Sequence, residues 1–447
     1  MTATKPPAYA NLPAAKPRAA RGGPELRELR VRLEVVTPIM GGSHQTRAID
    51  DVDVIRVPSV RGHLRFWWRA LYAAQYANPT ALYERESVLW GRAANDDGGR
   101  SAVEIRGNVE RVGGTDSSEV RLFSSRDQQA TPGAYALWPA RAETAPRRRP
   151  GTQFQLTLKV PAADEAEVKN ALRAWILFGG YGGRTRRGLG SLKVLEDASS
   201  WLPSAGTRQA LTGLFGRDVF EPSTRTPCDV PWFGGAAIHV GRTDRNAQTA
   251  WTTALDWLKE FRQGTTGQQG SRAREPGTGK AQPQRPSISN WPEADKIRLI
   301  KNKTTAHAPR HNATAAWPRA GFGLPIIGQF QKTDRNNNRN GYDEPGPFEL
   351  RWRAGNVEHD RLASPLIVKA LPLDDGTFAP CALWLNRAHP TNGEVVLRNT
   401  NNSQAPFDRL VASGDTARFS ALANKTSLRQ AFLDWLHSKY QTTVVAP

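Results

Sequence analysis

The 447-residue chain is long enough for two ordinary domains, each with its own buried core, and leaves length over for insertions. Its 61 Lys and Arg outnumber 42 Asp and Glu, a formal net charge of +19 that points to a polyanionic partner. Two cysteines, Cys228 and Cys381, are too few for a disulfide framework and lack zinc spacing, and no run is apolar enough to span a bilayer. A soluble cytoplasmic protein is expected, with no membrane contact, metal or cofactor.

Residues 1–25 are basic, rich in Ala and Pro, and expected to form a disordered tail; the apolar run of a signal peptide does not follow their charges. Arg30-Val31-Arg32-Leu33-Glu34-Val35 alternates charged and apolar side chains, which predicts a half-buried strand ending at Thr37-Pro38, and Gly41-Gly42 opens a loop. Ser59 is the expected cap of a helix whose Val60, Leu64, Trp67, Trp68 and Leu71 recur at three- and four-residue spacing. Strands are predicted at 102–109 and 152–160, separated by a polar, Arg-rich insertion over roughly 111–150. A helix over 164–178 with Val168, Leu172, Trp175 and Ile176 on one face ends at Gly179-Gly180, and a short strand follows at 190–195. The order β-α-β-β-α-β is the ferredoxin-like arrangement shared by RNA-recognition modules.

In the second half, strands are expected at 236–240, 348–353, 365–371 and 381–385, and helices at 250–261 and 427–440. Gly/Gln/Arg/Pro-rich 263–286 and Asn-rich 331–347 read as mobile insertions. The fold class expected is therefore α+β, with tandem ferredoxin-like domains over 26–200 and 201–447, the second more decorated.

The most informative segment, 178–192, packs six glycines and three arginines between a helix and a strand. Glycines such as Gly182, Gly183 and Gly188 let backbone N–H groups approach a phosphate, and the guanidinium groups of Arg184, Arg186 and Arg187, flanking Thr185, match phosphate oxygens with forked donors. No Gly-Lys-Ser/Thr follows, so it is not a nucleotide-binding P-loop. The plainer reading is a surface loop with solvated arginines. A second segment, 57–71, sets Arg61, Arg65 and Arg69 in one stripe on the predicted helix, with His63 between them; Ser59, Arg61 and the first N–H groups are suited to one phosphate. Alternatively, Arg65 and Arg69 are the solvated side of a Trp/Leu face.

Thr37-Pro38 with Gly41-Gly42, then Pro58-Ser59-Val60-Arg61-Gly62 leading into Leu64-Arg65-Phe66-Trp67-Trp68-Arg69, then the Gly-Arg loop, resemble the RAMP superfamily. More narrowly they are similar to the family of the first-numbered subunit of the Cmr complex, the type III-B CRISPR effector. Trp291-Pro292-Glu293, Phe322-Gly323-Leu324-Pro325-Ile326 and Arg361-Leu362-Ala363-Ser364-Pro365-Leu366 extend the likeness into the second half. The resemblance implies two RAMP-type ferredoxin-like domains and a binding role at the head of the complex, near the 3′ end of the CRISPR RNA. The implied partners are CRISPR RNA, target RNA, other RAMP subunits and the backbone subunit, to which target cutting falls. On that reading the RNA-binding residues are Arg61, His63, Arg65, Arg69, Gly182, Gly183, Arg184, Thr185, Arg186, Arg187 and Gly188, with no catalytic residue.

RAMP folds also include metal-independent endoribonucleases, and a purely structural adaptor is a third reading. For cleavage, His63 is the best candidate base, without a visible partner. Asp50, Asp51 and Asp53 read as a solvated loop able to salt-bridge arginines rather than as a magnesium site. His307 and His311 are separated by Pro309, which undermines a shared helix face; with Lys301, Lys303 and Arg310 they suit an RNA-contacting loop. Tyr181 is a candidate for stacking on a base.

Overall fold

The computed structural model describes residues 24–45, 48–92, 98–121, 128–138, 146–223, 230–263, 297, 317–328, 346–388, 390, 392–398, 425 and 427–447. The first 23 residues, Cys228, Trp291-Pro292-Glu293, the 301–311 basic segment and most of both predicted insertions lie outside them.

In the first half the elements are β1 (Leu26–Val35), β2 (Ile39–Met40), α1 (Val57–Tyr72), α2 (Pro79–Trp90), β3 (Glu104–Arg111), β4 (Thr115–Asp116), α3 (Ala134–Leu137), β5 (Arg147–Arg148), β6 (Gln153–Pro161), α4 (Glu165–Phe178) and β7 (Leu192–Val194). Alternation in β1 and β6 buries Leu29, Val31, Leu33 and Val35 against Phe154, Leu156, Leu158 and Val160, with the two strands antiparallel from Leu26↔Pro161 to Glu34↔Gln153. The sheet order is β3-β6-β1-β7, all antiparallel, which is the ferredoxin-like order with α1 and α4 as its two helices. Trp67, Trp68, Leu71, Leu172, Trp175 and Phe178 of those helices are buried in its core. Each such large apolar side chain contributes on the order of 2 kcal/mol through burial.

After α5 (Ala198–Trp201) and α6 (Arg208–Phe215), the pattern returns as β8 (Trp232–Val240), α7 (Ala247–Gln263), β9 (Ile326–Gly328), β10 (Phe348–Ala354), β11 (Val357–His359), β12 (Leu366–Pro372), β13 (Phe378–Asn386), β14 (Glu394–Leu397), α8 (Leu428–Tyr440) and β15 (Thr443–Ala446). Here β12-β13-β8-β15 reproduces the first sheet's order, with α7 and α8 in the helix positions. Strands β9, β10, β11 and β14 form a separate small sheet inserted into this plan.

The two halves share one core. Ile367, Leu371, Cys381 and Leu383 face the first half's apolar cluster, while Leu366, Val368, Ala370, Ala382 and Trp384 pack with α7 and α8. The second sheet is thus covered on both faces, and β12 is buried at every residue. That is why its sequence is a continuous apolar run interrupted only by Lys369.

One sequence expectation is corrected, and two regions gain elements the sequence reading did not assign. Helix α1 begins at Val57 with Pro58 in its first turn, so Ser59 is not its cap; Arg56 holds that position without a side-chain bond, and its N–H donates to Tyr181 Oη at 2.8 Å. Helix α2, which carries little amphipathic signal, was not anticipated. Within the 111–150 insertion, β5 pairs with both β2 and β4, Arg147 and Arg148 are buried, and α3 packs against α7.

Candidate nucleic-acid interface

The Gly-Arg loop is fastened to the end of β1. Buried Thr37 Oγ1 donates to the Gly188 carbonyl at 2.7 Å and accepts from the Ser191 N–H at 2.8 Å, while the Gly190 N–H donates to the Pro38 carbonyl at 2.9 Å. The glycines serve packing. Gly188 has φ +75°, and a Cβ there would lie 2.4 Å from Trp251 Cδ1; Gly190 has φ +66°, and its Cβ would fall 1.9 Å from the Tyr181 carbonyl oxygen.

The expectation of an open backbone cradle is corrected accordingly. The N–H groups of Tyr181, Gly183, Arg187, Gly188 and Gly190 all donate to carbonyl oxygens of the protein itself. Tyr181 is fully buried, which removes it as a base-stacking platform. Gly182 and Gly183 lie close against Met40, and Thr185 opens a short 3-10 turn through Arg187.

What the loop presents is arginine, and its three arginines differ. Arg184 is exposed. The Arg186 guanidinium lies 5.3 Å from the Phe66 ring on α1, its Nε buried without a partner; burial, then the nearby Arg387, hold it below the usual guanidinium range. Arg187 turns into the second half, where its guanidinium donates to the Leu366 carbonyl at 2.9 Å and the Phe322 carbonyl at 3.3 Å. Burial and the neighbouring Arg262 push it down to about 9. Leu324 and Leu362 exchange backbone hydrogen bonds, so two of the second-half motifs meet around Arg187.

Sequence reasoning did not find Arg262, Arg319 and Arg387, which the second half brings to this seam. Arg262 lies 5.8 Å from the Phe322 ring, Arg319 donates to the Arg262 carbonyl at 3.4 Å, and Arg387 donates to the Ala363 carbonyl at 3.0 Å. They are far apart in the chain and join only through tertiary structure. Among the described residues, Arg186, Arg187 and Arg262 form no ion pair with a carboxylate.

The predicted α1 stripe is set apart from the loop. Arg65 Nε and a terminal nitrogen of Arg69 both donate to Oε1 of buried Glu86 on α2, at 2.5 and 2.7 Å. Arg61, on the same stripe, has a buried Nε without a partner. His63 and Phe66 instead face the loop: the His63 ring is stacked 6.1 Å from Trp175 and meets Tyr181 edge-on at 6.3 Å, and desolvation, reinforced by Arg186, pushes it down to about 4. The eleven predicted residues therefore fall on two flanks of α1.

The acidic segment reads as anticipated for a loop. Asp50 accepts from the Val52 and Asp53 N–H groups, and Asp51 pairs with buried Arg148 at 2.7 Å. The outer face of the first sheet, with Glu28, Arg30, Arg32, Glu34, Gln155, Thr157, Arg106 and Asn108, carries no aromatic side chain among the described residues and is laced by pairs such as Arg32 with Glu110. It lacks the stacking platform of RNA-recognition modules.

Residues 32–193 match the family model described as the RAMP superfamily. A curated relative, the CRISPR system Cmr subunit Cmr1-1 of Pyrococcus furiosus, is 27% identical over 196 residues; the match takes in 43% of this chain and 54% of that protein, so this chain spans about half the length of that relative. Similar solved structures include the apo crystal structure of Cmr1 from Pyrococcus furiosus (16% identity, TM-score 0.46, covering 94% of this chain and 98% of that one). A chain of the cryo-EM structure of the type III-B Cmr-beta bound to cognate target RNA is 10% identical, with TM-score 0.42, covering 82% and 97%. The segment 32–193 thus matches the RAMP superfamily, and over part of its length the chain is similar to a Cmr1 subunit.

Proposed function

We propose that this protein is a non-catalytic, RNA-binding subunit of a cytoplasmic type III-B Cmr ribonucleoprotein effector. In this reading it sits at the head of the complex near the 3′ end of the CRISPR RNA, beside other RAMP subunits and the backbone subunit, and helps capture target RNA in antiviral defence. The observation that carries it is the seam: Arg186, Arg187 and Arg262 converge there with no carboxylate partner among the described residues, beside Arg184, Arg319 and Arg387. Gathering like charges in a partly desolvated place is costly unless an anion compensates them, and an RNA backbone is a continuous row of such anions.

His63 weighs against the endonuclease reading. An imidazole pushed to about 4 is a weak base, far from the range in which proton abstraction near neutral pH is efficient. Crosslinking of the assembled complex to labelled guide and target RNA, with peptide mapping, tests the proposal: crosslinks at 184–187 are expected. Assembly without crosslinks there would favour the adaptor, and RNA cleavage by the purified chain, lost in His63→Ala, would favour the nuclease.

A further inference from the structure

On the flank of α1 away from the Gly-Arg loop, a cleft of about 760 Å³ opens between α1, the end of α2 and the edge strand β3. Arg61, Arg65, Arg92, Arg100 and Arg106 line it, with Glu104 as the one carboxylate among its lining residues. Its volume falls in the range of small-ligand sites, on the order of 300–1,000 Å³.

Among the described residues, the acids bordering these arginines are fewer than the arginines. Glu86 is shared by Arg65 and Arg69, Glu84 pairs with Arg92 at 2.6 Å, and Glu104 pairs with Arg100 at 2.6 Å. The last pair joins an 83% exposed arginine to a 41% exposed glutamate, so an incoming anion separates it at little cost. The Arg106 side chain is exposed, with no side-chain hydrogen bond or ion pair among the described residues. Deeper in the cleft, Arg61 Nε and Trp90 Nε1 are buried donors without acceptors among the described residues, a state normally avoided unless a ligand or a small rearrangement supplies one. At the rim the Arg92 N–H donates to the Gly99 carbonyl at 2.9 Å.

We infer that this cleft is a second phosphate-binding site, separate from the domain seam, which takes a phosphate of a single-stranded nucleic acid between Arg61, Arg100 and Arg106. The assignment rests on the RNA-binding reading for the nature of its ligand. Forked guanidinium groups from a helix and from an edge strand approach such a phosphate from two sides, and the open mouth admits the adjoining nucleotides.

The test is fluorescence anisotropy on the full chain with a labelled uridine-rich 15-mer RNA, carried bare, 5′-phosphorylated or 3′-phosphorylated, over a salt series. Arg106→Gln and Arg61→Gln are each expected to weaken binding about fivefold, and together to lower the salt-dependence slope by about 1 to 2, without altering the effect of Arg184→Ala. Loss confined to one phosphorylated end assigns the cleft to a terminal phosphate; equal loss for all three RNAs assigns it to an internal phosphodiester. Wild-type affinity and slope in both cleft variants, with Arg184→Ala still weakening binding, would overturn the cleft alone. Absence of RNA binding by the wild-type chain would remove the ligand and, with it, the RNA-binding reading. Arg106 is exposed, so its variant tests binding without threatening the fold.

Discussion

Lys369 Nζ donates to the carbonyl oxygen of Gly179 at 2.7 Å and to that of Ile176 at 3.2 Å. A strand of the second sheet thereby closes the last turn of α4 where the Gly-Arg loop leaves it. The carbonyls at a helix C-terminus lack intrahelical donors and attract positive charge, so a fully buried lysine finds partners without a carboxylate. In register across the sheet lies Cys381. The link ties the position of the loop to the packing of the two halves.

Burial pushes Lys369 down to about 7, well below an exposed lysine. The unfolded chain therefore binds more protons here than the folded one above pH 7, and stability rises with pH, by up to about 1.4 kcal/mol per unit. Burial also pushes the Cys381 thiol up to about 12, which works the other way once the unfolded thiol ionises near pH 8.5. The window is thus pH 7 to 8.5. Urea unfolding of the full chain across it should show a gain of about 1–2 kcal/mol that is absent in Lys369→Met; an identical pH response in both proteins would exclude the lysine as its source.

Two glycines with positive φ separate packing from backbone strain. A Cβ at Gly190 collides with the Tyr181 backbone, whereas one at Gly216, φ +71°, meets nothing within 4 Å. Gly216→Ala should cost about 1 kcal/mol and fold normally, while Gly190→Ala should cost more than about 3 kcal/mol or fail to fold. Equal midpoints in thermal melts would mean that the loop opens readily and that its glycines are not packing residues.

Arg187 and Arg184 should part in the same way. Arg187→Ala removes the donors that satisfy the Leu366 and Phe322 carbonyls and should destabilise the chain by about 1–3 kcal/mol. Exposed Arg184→Ala should stay within about 0.5 kcal/mol of wild type and lower RNA affinity instead. Paired melts and anisotropy titrations decide it; a melt shift for Arg184→Ala matching that of Arg187→Ala would show that both arginines are structural.

The first half was legible because its sheet has one wet face: Arg30 to Val35 and Gln153 to Val160 alternate, and Val60 to Leu71 keep a helical period. In β12 and β13 both faces are buried, so the period disappears and only the existence of a strand was readable. The site was legible in its arginines and illegible in their directions. Nothing local distinguishes Arg186, which faces Phe66, from Arg187, which faces Leu366, and the partners at Arg262 and Arg387 arrive from a domain whose placement no spacing encodes.

Glu86 decides how much of the α1 stripe is surface. One of its oxygens holds both Arg65 and Arg69, so the carboxylate is buried while the two guanidiniums remain about one third exposed. Glu86→Gln leaves a neutral acceptor of the same shape and removes one negative charge beside the cleft. Stability should fall by about 1–2 kcal/mol, since the arginines rehydrate while the buried contact weakens. If the stripe borders an RNA path, affinity should rise about two- to fivefold at low salt, because the local field grows more positive, and the gain should vanish as salt increases. An affinity unchanged at every salt concentration would leave Arg65 and Arg69 as a clamp between α1 and α2 alone, and would confine RNA contact on this flank to Arg61 and the β3 edge.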